Sequence, residues 1–246
     1  MEYPKIQTFF MRDTKNLIIP DSCTRPEFGY LRQNLWECTE KIDGTNMRVE
    51  IHCDENDEVS CRYCGRTEKA NIPPHLLQKM QSLFDNVNWK EIFGNLTPNT
   101  HITIFGEGYG AKIQKGGNYI KDGVNFILFD VRVGNWWLTR ANCADIAQKL
   151  NIPIVPLLGL YTIDEAINIV KNGFKSTIAE NKDYDAEGIV LKTTAGLLDR
   201  GGNRIITKLK TSDFRKWEAA YGTNPMLQLE NLEDGNESMP TMQPCC

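Results

Sequence analysis

Glu40-Lys41-Ile42-Asp43-Gly44-Thr45-Asn46 closes an apolar run, Trp36 to Lys41, that reads as a strand. A lysine at a strand end can serve as a covalent nucleophile. The glycine lets backbone approach a phosphate closely, and Asp43 and Asn46 supply polar contacts beside it. Alone the stretch says little, because Asp-Gly is also a common turn dipeptide. Its meaning depends on the residues further along the chain.

Met47-Arg48-Val49-Glu50-Ile51 alternates with period two, so Met47 to Cys53 reads as the next strand, joined through Asp43-Gly44. Glu58 to Tyr63 is a third strand after the polar turn Asp54-Glu55-Asn56-Asp57. Pro74 to Val87 has helical spacing at Leu76, Leu77, Met80, Leu83 and Phe84, with proline near the first turn. His101 to Phe105 and Val124 to Val133 are strong strand signals. The second is nearly apolar throughout, so burial on both faces is expected. Between them a Gly- and Lys-rich loop is expected from Gly106 to Gly123. Thr139 to Leu150 reads as a helix. Thr162-x-x-Glu165 is a capping box opening another, Ile163 to Lys171, with Gly173 as its stop. Glu187 to Lys192 and Arg204 to Lys210 are further strands, and Thr211-Ser212-Asp213 is expected to cap a last helix, Phe214 to Ala220. Residues 1–35 read as a lead-in segment. No internal repeat is visible, and strands and helices intermix without regular β-α alternation, which favours α+β over a doubly wound sheet.

The chain of 246 residues allows one large domain, with or without a small appendage. No apolar run is long enough to span a membrane. Met1-Glu2-Tyr3-Pro4-Lys5 lacks the apolar core of a signal peptide, so a cytoplasmic protein is expected. Without a secretory signal the eight cysteines are expected to be reduced thiols. Cys61-x-x-Cys64 resembles half of a zinc site, but no second pair and no paired histidines accompany it. The net charge of −4 is carried by Glu230, Glu233, Asp234 and Glu237, beyond residue 226, where no Lys or Arg occurs. The rest of the chain is neutral and can still hold a local basic groove.

Four clusters follow the lysine stretch, each at a strand end. Phe105-Gly106-Glu107 ends one strand, and Phe129-Asp130 lies late in the apolar one. Glu187-Gly188-Ile189-Val190-Leu191-Lys192 opens with an acid and closes with a lysine. Lys208-Leu209-Lys210 presents two lysines on one face, since i and i+2 share a face. Each has a plain structural reading: Gly-Glu as a strand end, Phe as core, Lys-x-Lys as a solvated face. Those readings leave the ordered set unexplained.

Together the clusters resemble the covalent nucleotidyltransferase superfamily of ATP-dependent DNA and RNA ligases and mRNA capping enzymes, and within it the RNA ligase 2 family. Gly44-Thr45-Asn46 matches that family's nucleophile motif; DNA ligases more often carry arginine in place of Asn46. Cys61 through Arg66-Thr67, Phe105-Gly106-Glu107, Ile113-Gln114-Lys115, Phe129-Asp130, Pro156-Leu157-Leu158-Gly159, Glu187 to Lys192 and Lys208 to Lys210 continue the series, over about residues 35 to 217. The resemblance implies an α+β ligase-type nucleotidyltransferase (adenylyltransferase) domain of antiparallel sheets flanked by helices. It implies Lys41 as the nucleophile that attacks the α-phosphate of ATP, expels pyrophosphate and carries AMP as a phosphoramidate. A free lysine, with a pKa of about 10.4, must lose its proton first; nearby positive charge from Lys208, Lys210 or a metal favours this. Lys208 and Lys210 would then hold the α-phosphate, and Lys192 would also face phosphate. Glu107 would contact the ribose, Phe129 would stack on adenine, and Arg66 would lie near the sugar and the incoming nucleic-acid end. Adenine would be selected by hydrogen bonds around Glu40 and Ile42, with Asn46 beside them. Glu187 would serve metal-assisted chemistry, with magnesium (or manganese) as the metal. No G-x-x-x-x-G-K-[ST] occurs, so ATP is not held by a P-loop.

The departures shape the expectation. RNA ligase 2 proteins usually carry a C-terminal helical domain, and DNA ligases and capping enzymes an OB domain. Here residues 1–225 are expected to form a nucleotidyltransferase domain and residues 226–246 an acidic, poorly ordered tail. Nucleic acid with 5′-phosphate and 3′-hydroxyl ends, RNA preferred, is the expected partner. It would be taken by a monomer through its own groove or with a protein partner. Asp43 follows the DNA ligase and capping pattern rather than the histidine of the best-known RNA ligase 2. A DNA nick ligase, a GTP-using guanylyltransferase and a catalytically silent nucleic-acid-binding scaffold therefore remain open beside RNA ligase.

Overall fold

The computed structural model describes residues 2–222 except 95 and 115. The tail expected from residue 226, its boundary at 225, and Lys115 of the loop motif lie outside the described residues. The elements in chain order are β1 (Gln7–Thr8), β2 (Phe10–Arg12), β3 (Ile18–Cys23), α1 (Pro26–Tyr30), β4 (Trp36–Lys41), β5 (Thr45–Cys53) and β6 (Val59–Gly65). Then come α2 (Pro74–Phe84), α3 (Trp89–Phe93), β7 (His101–Gly110), β8 (Val124–Val133), β9 (Trp136–Trp137) and α4 (Arg140–Lys149). They close with β10 (Leu157–Tyr161), α5 (Ile163–Asn172), β11 (Gly188–Thr193), β12 (Ile206–Lys210) and α6 (Thr211–Tyr221). The fold is α+β, with antiparallel sheets flanked by helices. One five-stranded sheet runs β1-β12-β11-β4-β10, the other β6-β5-β7-β8-β9, and β2-β3 forms a small ribbon. Only β1 on β12 is parallel within these ladders.

Period two on β5 turns Met47, Val49, Ile51 and Cys53 into the core of the second sheet. There α2 covers them with Leu76, Met80 and Phe84, spaced four apart on one helical face. Each such side chain contributes about 1.5–3 kcal/mol over exposure. The apolar strand β8 is buried on both faces, as its composition implies: Phe126, Leu128 and Val131 join this core, while Ile127 packs with Ile42. The first sheet is covered by α5, whose Ile163, Ala166, Ile167 and Val170 pack on Ile189, Leu191 and Leu209. Its capping box is formed, Thr162 and Glu165 satisfying each other's backbone N–H groups.

Several expectations need correction. β7 does not stop at Phe105 but runs to Gly110, five residues into the expected loop. Its glycines stand where the sheet is crowded: a Cβ on Gly106 would strike Phe126, and one on Gly108 would strike Leu76. α6 starts at Thr211, not after a Thr-Ser-Asp cap. Asp213 is instead paired with Arg12 at 2.6 Å, and the Thr211 hydroxyl donates to the Ala186 carbonyl. β12 begins at Ile206 rather than Arg204. The lead-in segment holds three strands and a helix, and β10 and α3 add two elements that no local pattern marks. Cys61 and Cys64 project to opposite faces of β6, pairing with Ile51 and Arg48, so they do not form one metal corner. No helix among the described residues is long and apolar enough to cross a membrane.

The two sheets are stitched by residues 153–156. Leu128 N–H donates to the Pro153 carbonyl and Val155 N–H to the Leu128 carbonyl, both at 2.9 Å. The Pro156 carbonyl then accepts from Glu40 N–H at 3.0 Å. This short run ties β8 to β4 and leaves a cleft between the sheets.

Candidate active site

β11 is the central strand of the cleft's first wall. Gly188 pairs with Lys41 on β4 and with Lys210 on β12. Two residues on, Val190 pairs with Thr39 and Lys208; after two more, Lys192 pairs with Glu37 and Ile206. Alternate residues share a face, so these rows line the cleft while Trp36, Cys38, Ile189, Leu191 and Leu209 enter the core. Gly188 has φ 154°, and a Cβ there would lie 2.0 Å from the Leu209 carbonyl oxygen. Glycine at this position lets β12 close on β11 and brings Lys41 and Lys210 to either side of Glu187.

The result is a charge cluster. Lys41 Nζ donates to Glu187 Oε2 at 2.5 Å, and Lys210 Nζ pairs with Glu187 Oε1 at 2.7 Å. Burial pushes the Glu187 carboxyl up, but the two ammonium groups more than offset this and hold it below the usual range. The Lys208 ammonium, one row along, has no ion-pair or hydrogen-bond partner among the described residues. Burial, with the ammoniums of Lys41 and Lys210, pushes it down to about 8. Such a lysine is primed for an anion, which would relieve both causes.

The opposite wall comes from the second sheet. Asn46 on β5 faces Glu107 on β7 across the ladder. Gly44 makes this approach feasible: a Cβ there would fall 2.3 Å from the Gly108 carbonyl oxygen and 2.8 Å from Glu107 Cγ. Its need for glycine is thus explained by contact with β7, before any phosphate is considered. Glu107 is pushed up to about 8 by burial, opposed by Lys41 and reinforced by the Glu187 and Asp43 carboxylates. Its protonated form, which can donate a hydrogen bond, is thereby favoured. Asn46 Oδ1 is buried without a hydrogen-bond partner among the described residues. Arg66 is exposed at the mouth. Its backbone is fixed by the fully buried Arg48, which donates to the carbonyls of Gly65 and Arg66 and is neutralised by Glu50 and Glu68.

At the far end Phe129 enters from β8. Phe105 pairs with Asp130 and Gly106 with Leu128, so Phe129 is the extra residue of a β-bulge, with no cross-strand partner. A bulge re-aims its side chain, here into the cleft beside Val190 of the other sheet. Beneath it Asp130 is buried, accepting from Lys192 at 2.8 Å, Arg204 at 3.0 Å and the Tyr3 hydroxyl at 2.5 Å. The Lys192 ammonium, expected to face phosphate, is engaged by Asp130 and by the Phe129 carbonyl at 3.0 Å. Glu40 points to the other face of β4 from Lys41. Its carboxylate accepts from Ser176 and from the backbone and hydroxyl of Thr177, so only its backbone is offered to the cleft.

The cavity between the walls is about 230 Å³. Glu40, Lys41, Ile42, Asn46, Arg66, Glu107, Phe129, Lys192 and Lys208 all line it. Glu187 and Lys210 stand outside this lining and reach it through Lys41. The site residues expected from the sequence therefore form one constellation. Tyr3, Pro4, Lys5, Ile6, Thr39, Val155 and Val190 complete the lining, and sequence reasoning misses them. Val190 carries a usable signal, because it shares a strand face with Lys192. The donor set suits a nucleotide: an aromatic face, an orphaned amide oxygen, a protonated carboxyl and an unpaired lysine. Glu187 is the carboxylate that would hold a divalent ion between itself and phosphate, once a lysine lets go.

A model of the RNA ligase family matches residues 34–210. No curated protein sequence matched the chain. Among solved structures the Naegleria gruberi RNA ligase with PPi matches with a TM-score of 0.57 at 19% identity, covering 90% of this chain and 60% of that one. A variant of that ligase with ATP and Mn gives 0.55 at 20% identity, covering 89% and 59%. Another variant, with AMP and Mn, gives 0.55 at 19%, covering 86% and 58%. The chain thus spans about 60% of the length of the structures it matches, and at these identities the likeness speaks for the fold. The family match runs from β4, which bears Lys41, to the end of β12, which bears Lys210, and takes in every lining residue outside segment 3–6; the chain belongs to the RNA ligase family.

Proposed function

We propose that the protein is an ATP-dependent RNA ligase that loads AMP on Lys41, passes it to a 5′-phosphate and seals that end to a 3′-hydroxyl. The observation that carries this reading is the convergence of Lys41, Lys208 and Lys210 on one wall of a cleft that Phe129 enters from the other sheet. A nucleotide laid between them has its phosphates at the lysines and its base on the aromatic ring.

In this reading Lys41 Nζ bonds to the α-phosphorus of ATP as the bond to pyrophosphate breaks. Lys41 must first leave Glu187 and shed its proton. Glu187, its carboxyl held low by two lysines, is a weak base. The proton therefore passes to solvent rather than to Glu187, and the electron pair it leaves on Nζ forms the bond to phosphorus. Lys208 and Lys210 take the negative charge that grows on the phosphate oxygens. Glu107, protonated, donates to the sugar, and Asn46 Oδ1 receives a donor it lacks. Glu187 would hold a divalent ion, magnesium or manganese, which would supply charge neutralisation at the phosphates. Arg66, exposed at the mouth, meets the nucleic-acid end.

RNA is favoured over DNA as substrate by the family match and by Gly44-Thr45-Asn46. The test has two stages. Protein with ATP and magnesium should gain one acid-labile AMP by intact mass, absent in Lys41→Ala; equal labelling by GTP refutes ATP use. Four nicked duplexes differing only in sugar on each side then decide the polymer. A ribonucleotide 3′-hydroxyl side should seal faster, since the 2′-hydroxyl sets the local geometry. Faster sealing of the all-DNA nick moves the protein to DNA ligation and leaves the Lys41 chemistry standing.

A further inference from the structure

Segment 3–8 crosses the cleft's open edge. Gln7 and Thr8 pair in parallel with Thr207 and Lys208 of β12, and Phe9 N–H donates to the Lys208 carbonyl at 3.1 Å. The residues just before them, Tyr3 to Ile6, line the cavity. Tyr3 is buried at 8% exposure, in a position that no sequence motif marks.

Its neighbours give it a task. The Tyr3 ring meets Phe129 edge-on, centroids 4.9 Å apart at 75°, and touches Phe105 and Trp137 in the same manner. Its hydroxyl donates to Asp130 Oδ2 at 2.5 Å and accepts from Arg204 at 2.9 Å. Asp130 in turn holds Lys192, and Lys192 donates to the Phe129 carbonyl. Phe129, as the bulge residue, has no cross-strand partner to fix its orientation. What fixes it is Tyr3, at the ring directly and at the backbone through Asp130 and Lys192.

We propose that Tyr3 is a positioning residue of the cleft, holding the Phe129 ring as a platform for the base of a purine nucleotide and so setting how tightly that nucleotide binds. The inference rests on the nucleotide reading of the cleft. An edge-to-face contact holds a ring in place without blocking its exposed face. The nucleotide then finds the platform already set and does not have to order it.

The experiment compares Tyr3→Phe and Tyr3→Leu, each alone and with Phe129→Leu. ATP affinity is measured by calorimetry and the rate of AMP loading on Lys41 at saturating ATP by intact mass. Tyr3→Leu should weaken ATP binding about tenfold with the saturated rate within about twofold, because ground-state binding is what the ring supplies. Tyr3→Phe, which keeps the ring and loses the hydroxyl, should weaken binding about threefold. In the Phe129→Leu background the Tyr3→Leu penalty should shrink to less than about twofold, since the two residues act as one unit. A purely structural role would give the same penalty in both backgrounds. Unchanged ATP affinity in Tyr3→Phe, or additive effects, overturns the inference; if Tyr3→Leu fails to fold, Tyr3→Phe alone decides. Wild-type protein that binds ATP but forms no adduct sinks the Lys41 chemistry and leaves the Tyr3 comparison valid. Wild-type protein that binds no ATP overturns both.

Discussion

Replacing Glu187 by glutamine separates binding from chemistry. The carboxylate accepts from Lys41 at 2.5 Å and from Lys210 at 2.7 Å, the two groups on which a phosphate would land. It therefore occupies the lysines as an internal anion. An entering phosphate must displace it and then sit within about 4–5 Å of its charge. Like charges at such a distance repel by roughly 1–4 kcal/mol between the limits of water and an effective dielectric of 20. Taking a value near the lower limit, Glu187→Gln should bind ATP about tenfold tighter in the absence of metal. The same variant should load AMP at least about a hundredfold more slowly with magnesium present, because the carboxylate that would share the ion with the phosphates is gone. Calorimetry in chelator gives the first number and intact mass over time the second. Weaker metal-free binding in Glu187→Gln would refute the internal-anion argument, and wild-type loading would refute the metal role.

Other consequences are equally open to measurement. Asp130→Asn strands Lys192 and Arg204 without a buried counter-charge and should cost about 3–5 kcal/mol, read as a fall in thermal midpoint of about 10 °C. Against the upward push of burial, those two cations hold the Asp130 carboxyl below the ordinary range. Its contribution is therefore present above the usual aspartate pKa and fades as pH falls through the lower folded value, so the gap between variant and wild type should narrow in acid. Gly188→Ala should lose AMP loading even where it folds, since its Cβ would push β12 and Lys210 off the site; a normal rate would show that the contact relaxes freely. The Glu107 carboxyl near 8 predicts that Glu107→Gln tolerates neutral pH. Its ATP affinity should match wild type near pH 6 and exceed it near pH 9, where wild type has lost the proton; a wild-type pH profile would refute the donor role.

Local pattern is what makes parts of this fold legible in the sequence. The capping box Thr162-Glu165, the period of β5 and the apolar run of β8 each state their structure within a few residues. Lys41, Glu187 and Lys208-Lys210 are legible because their order along the chain is that of a family. The features that escape the sequence depend on crowding or on distant partners. Gly106 and Gly108 read as loop residues, but they are strand positions from which Phe126 and Leu76 exclude side chains. Asp213 reads as a helix cap, but Arg12 claims it. Glu40, beside Lys41, reads as a site residue, yet its carboxylate fastens residues 176 and 177 on the far side of the sheet. Lys192 reads as a phosphate ligand until Asp130 is seen beneath it. Tyr3 has no pattern around it at all.

The parallel pairing of Thr8 with Lys208 joins residues 200 positions apart and makes the cleft a late product of synthesis. Lys41 leaves the ribosome well before β11 and β12, with which Glu187, Lys208 and Lys210 arrive. Roughly 170 residues separate Lys41 from its lysine partners, which at about 5–20 residues per second is a delay on the order of 10–30 s. Through most of that interval β4 lacks both of its neighbours, β10 and β11, and β1 has no strand to lie against. A nascent chain thus displays Lys41 before the charged groups that surround it in the cleft. The lysine cluster around Glu187 is assembled only once β12 has been made.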